Sequence, residues 1–199
     1  MRSNLCKIGR DGTCLTDVLN EVEKVAEYNG LDKKKTLRLR LLAEELVKMI
    51  PELLEEYVGS FWVECEGKNY ELHALMKVDN MNPEKKGDII SVSKSGKNAA
   101  ASGIIGMIRN AVDDWILYAN TSGAPLPVGF CDHNSIYAGY NYTWSMEVYM
   151  LQMEAQKRKN SWDELEKSII AVFSDDVIVG VQGRQIEIIV KKDFGKAED

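Results

Sequence analysis

Leu15, Val18, Leu19, Val22, Val25 and Ala26 recur at intervals of three and four residues, the spacing that keeps one stripe of a helix apolar. They predict a helix over residues 16–29. Thr16 stands where an N-cap belongs, Asp17 falls in the first turn, and Gly30 can take the left-handed conformation that closes a helix. A second pattern begins after Asp32, a further N-cap, and runs to Ile50. Pro51 has no amide hydrogen and its ring strikes the carbonyl four residues earlier. The helix is therefore expected to kink or restart there and to continue to about residue 59.

The period then falls from three-and-four to two. "SFWVECEG" and "NYELHALMKVD" alternate apolar and polar residues, as a hairpin turning at Gly67-Lys68 would. Tyr70, Leu72, Ala74, Met76 and Val78 share one face of the second strand, and His73 falls on the other, where exposure is expected. Residues 79–103 are polar, small and glycine-bearing, and read as a long loop with a short strand at 89–92; loops of that length are usually functional or mobile. An apolar helix over 104–118 follows, then an irregular aromatic stretch. Helices are expected over 145–158 and 161–173, the second opened by the capping box of Ser161 and Glu164. "DVIVGV" and "RQIEIIVKK" close the order as two strands around "QGR". Segregated hairpins and helices imply an α+β fold: a two-layer sandwich with a mixed, mostly antiparallel sheet and helices on one face.

Composition narrows the function. A chain of 199 residues with 45% hydrophobic and 28% charged residues fits one globular domain. It has no apolar run long enough to span a membrane and no apolar signal core at its start, so a cytoplasmic protein is expected. The net charge of −6 argues against nucleic acid, whose phosphates need clustered cations. Lys33-Lys34-Lys35 with Arg38 and Arg40 is the main basic run, and reads as solvated helix surface. Cys6, Cys14, Cys65 and Cys131 show no close CxxC spacing and are expected as free thiols. "CDH" at 131–133 is not expected to bind metal, because adjacent side chains rarely converge on one ion.

Two acids on the second helix raise the question of chemistry. At about 100° per residue, Leu39, Ala43, Leu46 and Ile50 centre the apolar sector, with Leu42, Val47 and Met49 at its sides. Glu44 falls in the polar sector, four residues before Lys48, the spacing of a surface ion pair. Glu45 lies at the margin of the buried stripe. Partial desolvation there can raise a carboxyl pKa and suit it to proton transfer, while the alternative is an edge acid whose tip reaches water.

With its neighbours this arrangement resembles the GHKL ATP-binding fold of gyrase and histidine kinases, and within it the small anti-sigma-factor serine kinases. "LLAEELVKM" resembles that family's Glu-x-x-x-Asn helix. "MKVDNMNP" resembles its strand ending in Asp-x-Gly, and "KSGKNAAASGIIGMIRNAVDD" resembles its glycine-rich lid running into a helix. The likeness covers about residues 13–120 and the final hairpin, with 121–173 as an insertion in one domain spanning 1–199. It implies a Bergerat-type sandwich, ATP as ligand, Glu45 as general base, Asp79 as adenine acceptor, a protein partner of the regulator or sigma-factor kind, and a homodimer. Three positions depart from the pattern. Met49 replaces the Asn that holds Mg2+, and a thioether is a poor ligand for a hard cation. Met81 replaces the glycine that lets the base approach. The lid glycines are reduced to Gly96, Gly103 and Gly106, with Ser102 and Ile104 where a Gly-x-Gly pair belongs. The implied nucleotide site is thus Glu45, Met49, Asp79, Met81, Gly96, Ser102 and Gly103, with no metal expected.

Three functions follow: a regulatory protein on a degenerate GHKL scaffold without kinase activity, an active Mg-ATP-dependent serine kinase or ATPase, or a binding module. The last would use the aromatic insertion, with Phe130, Tyr137, Tyr140, Tyr142, Trp144 and Tyr149.

Overall fold

The computed structural model describes residues 1–9, 15–54, 56–78, 103–119, 125–132, 142–155 and 168–196. In chain order the elements are β1 (Cys6–Gly9), α1 (Leu15–Tyr28), α2 (Lys33–Leu53), β2 (Val58–Glu66), β3 (Asn69–Lys77) and α3 (Gly103–Ala119). Then come β4 (Phe130–Asp132), β5 (Tyr142–Ser145), α4 (Met146–Ala155), α5 (Ile169–Phe173), β6 (Asp176–Gln182) and β7 (Gln185–Asp193). The expected loop and strand over 79–102, and the capping box of Ser161 with Glu164, lie outside the described residues.

α1 ends as its glycine requires. Gly30 adopts φ +66°, its amide donates to the Glu27 carbonyl (3.0 Å) and the Leu31 amide to the Ala26 carbonyl (3.0 Å), a Schellman closure. Its start differs from expectation: the helix already includes Leu15, so Thr16 lies inside the first turn. α2 begins as read, with Asp32 accepting from the Lys35 amide at 2.9 Å. It does not continue to residue 59. Pro51 removes the bond that the Val47 carbonyl would receive, and three residues later the chain is extended at Leu54, with Val58 and Gly59 already in β2. The stretch 120–144, expected to be irregular, supplies β4 and most of β5 among its described residues. The following helix begins at Met146 because Ser145 is still strand.

Among the described residues the sheet has seven strands in the order β1-β2-β3-β7-β6-β5-β4, and all of these pairings are antiparallel. A mostly antiparallel sheet with some mixed pairing was the expectation; two-residue turns at Gly67-Lys68 and Gly183-Arg184 join neighbours that must run in opposite directions. One face carries Phe61, Val63, Leu72, Ala74, Met76, Val177, Val179, Ile186, Ile188 and Val190. The buried sides of α1, α2, α3 and α4 join it in one hydrophobic core. This is the α+β two-layer sandwich. The described parts of the 121–173 segment join it, since β5 pairs with β6 and Trp144 and Phe130 enter the same core.

The helices that line the core do so by the stripe the sequence shows. Leu39, Leu42, Ala43, Leu46, Val47 and Ile50 are all buried. Burying an aliphatic side chain contributes about 1.5–3 kcal/mol, so this one stripe is a large share of what holds α2 to the sheet.

Candidate functional site

Both acids of α2 are half-buried. Glu44 pairs with Lys48 at 2.5 Å on the exposed side. Glu45 is half-buried, and Met49, one turn on, is 4% exposed and packed in the core. α3 lies against the end of α2, where Arg109 Nη2 donates to the Glu52 carbonyl at 2.8 Å. Gly103 opens α3 at φ +76°, a backbone that only glycine adopts at low cost. Glu45, Met49 and Gly103 are thus placed on facing helices. Asp79, Met81, Gly96 and Ser102 lie outside the described residues, beyond the end of β3.

A second group of chemically capable residues stands on the other face of the sheet, and the local pattern did not reveal it. Strand register aligns Glu64, Glu71, Lys191 and Asp176 in one row across β2, β3, β7 and β6. The adjacent row is Trp62, His73, Ile189 and Ile178. This second row is almost entirely buried: His73 is 6% exposed and Ile178 and Ile189 are each 2% exposed. The expected exposure of His73 is therefore corrected. Alternation assigns a residue to a face but says nothing of whether that face is covered.

The His73 ring stacks on Trp62 (centroids 4.8 Å, planes 6° apart). Its Nδ1 lies 3.0 Å from Glu187 Oε1. Its Nε2 is buried, lacks a hydrogen-bond partner, and stands 3.4 Å from Glu71 Oε2 as a charge contact only. Around it, Trp62 Nε1 donates to Glu64 Oε1 (2.9 Å), Arg2 Nε approaches the same oxygen (3.6 Å), and Lys191 Nζ approaches Glu71 Oε1 (3.2 Å). Arg2 also lies over the Trp62 ring, 4.4 Å from its centroid. Burial by itself pushes the His73 pKa down, but the Glu187 and Glu71 carboxylates outweigh it and the net shift is upward. The His73 contact, with Lys191 assisting, holds the Glu71 carboxyl below its usual range against the opposing effect of burial.

Next to this row the sheet face opens into a depression of about 760 Å³ lined by Glu64, Glu71, Lys191, Asp176 and Glu147 among others. Asp176 is occupied structurally. It accepts from Ser145 Oγ (2.9 Å), the Glu147 amide (3.0 Å) and the Val177 amide (2.8 Å), and so caps the start of α4 from another strand. Burial nevertheless raises its pKa, outweighing those donors.

The described aromatics of the insertion pack on Trp115 of α3 and, for one pair, on each other. Trp115 lies against Phe130 (5.7 Å) and Tyr142 (5.9 Å), and Trp144 against Tyr149 (5.8 Å). Trp144 and Phe130 are core residues; Tyr137 and Tyr140 lie outside the described residues. Cys131 is on β4, its Sγ 3.5 Å from the Thr143 carbonyl, and His133 is outside the described residues.

No protein-family model matches the chain, and no curated protein matches it by sequence. Among the described residues, no helix is long and apolar enough to cross a membrane.

Proposed function

We propose that this chain is a regulatory protein built on a degenerate GHKL-type scaffold, acting through a protein partner and not by phosphoryl transfer. The carrying observation is Met49. At the place where the resemblance calls for the amide that grips Mg2+, the chain has a thioether turned into the hydrophobic core. Replacing that ligand removes the cation that neutralises phosphate charge in transfer. Supporting the scaffold part of the reading are the two-layer sandwich, the passage from β3 through residues 79–102 into α3, and the contact of α3 with the end of α2.

The test is titration calorimetry with Mg-ATP on the full chain, together with phosphate release by wild type and Glu45→Ala. The expected result is absent or weak binding that does not depend on Mg2+, and equal background release from both proteins. Tight Mg2+-dependent binding, with release lost on removing Glu45, would overturn the proposal in favour of an active kinase or ATPase.

A further inference from the structure

Apart from the nucleotide question, and on the opposite face of the sheet, the geometry points to a divalent metal site formed by His73 Nε2, Glu71 and Glu64, with Zn2+ the ion its ligands suit. The potential ligand atoms of these three residues all lie within 4.8 Å of one another. Zn–ligand bonds of about 2.0–2.2 Å place neighbouring ligands about 3.3–3.6 Å apart, so modest side-chain rotation closes the set.

Three features distinguish this cluster from a chance grouping of surface acids. First, the imidazole is buried and one of its nitrogens has no use within the fold. With Glu187 3.0 Å from Nδ1, the tautomer that donates its Nδ1–H to that carboxylate keeps its lone pair on Nε2, where a ligand bond can form. Nε2 stands 3.4 Å from the Glu71 carboxylate without a hydrogen bond, and a dication bound there would take the place of the proton that otherwise links the two groups. A carboxylate on the far nitrogen of a histidine is the usual outer support of a metal-binding imidazole, fixing its tautomer and increasing its basicity.

Second, the ligands are held by rigid backbone. Glu64 and Glu71 are direct partners across β2 and β3, and His73 is two residues from Glu71 on the same face. Trp62 stacks flat on the ring and limits its rotation. Third, the bonds from Trp62, Arg2 and Lys191 all go to the Oε1 atoms of Glu64 and Glu71, so they orient the carboxylates without enclosing the Oε2 side. Two carboxylates and a neutral imidazole balance the charge of a dication. This mixture of nitrogen and oxygen donors favours Zn2+ over Mg2+, which prefers oxygen alone. Three protein ligands leave a fourth position for water, and the adjoining depression provides a route for the ion.

The experiment is calorimetric titration of chelator-treated full-length protein with ZnCl2, and separately with MgCl2, for wild type, Glu64→Gln, Glu71→Gln and Glu187→Gln. The chain has two histidines, so a long-range proton–nitrogen imidazole spectrum assigns the change to His73 or His133. Expected are one saturable Zn2+ site, no comparable Mg2+ site, and a shift of the His73 Nε2 resonance on binding. Affinity should fall at least about tenfold in each of the three variants, the usual scale for loss of a ligand or its outer support. Glu64, with a side chain 43% exposed, is the change least able to disturb folding, and circular dichroism confirms that each variant is folded. Absence of saturable Zn2+ binding, or binding that persists in Glu64→Gln and Glu71→Gln or shifts only His133, would overturn the assignment.

Discussion

Replacing Met49 by asparagine tests the central contrast between a core position and a ligand position. The side chain is 4% exposed and lies among the apolar residues joining α2 to the sheet. Losing a buried methionine side chain removes about 1.5–3 kcal/mol of transfer free energy. An amide placed there without partners costs a further ~1–3 kcal/mol. A sum of ~2.5–6 kcal/mol, at ~2–4 °C per kcal/mol for a chain of this size, predicts a fall in Tm of ~5–24 °C. Met49→Leu keeps volume and polarity and should cost less than about 1.5 kcal/mol. Thermal unfolding by circular dichroism measures both variants, and urea midpoints check them at one temperature. An asparagine variant with unchanged Tm that gained Mg-ATP binding would refute the reasoning, because it would put position 49 in a hydrated cleft.

Gly129→Ala should destabilise the β4–β5 end of the sheet. Gly129 has φ +86°, and an added Cβ would lie 2.3 Å from Trp144 Nε1 and 2.9 Å from Tyr149 Cβ. Backbone strain and overpacking together suggest a loss of ~2–5 kcal/mol, and a tryptophan-fluorescence melt within about 2 °C of wild type would count against it. Asp176 carries a pH signature. A carboxyl whose folded pKa is raised holds its proton more tightly in the folded chain, so its contribution is most favourable at low pH and declines as pH rises past the ordinary value of 3.8 towards and through the folded one. The urea midpoint of wild type relative to Asp176→Asn should therefore fall over that rise, whereas a pH-independent difference would contradict burial as the dominant influence.

Much of the architecture is legible in short stretches of chain. The stripe of Leu39, Ala43, Leu46 and Ile50 specifies which side of α2 is buried, the alternation from Tyr70 to Met76 specifies which side of β3 meets the helices, and the turn residues specify two hairpins. Each of these depends on contacts between near neighbours in sequence or on the conformational preference of one residue. The ion pair of Glu44 with Lys48 is equally local.

Tertiary structure alone decided the character of His73. Its decisive partner, Glu187, is 114 residues away, and the two meet only because β3 pairs with β7. Nothing in the alternation of either strand encodes that pairing, and a period of two identifies a face without saying whether it is covered. Pro51 makes the same point in the other direction. Its chemistry announced a break in α2, but that strand and not further helix follows from Val58 was settled by β2 pairing with β1 and β3. Local pattern determines what a segment can bury; the register of distant strands determines which polar groups are buried together.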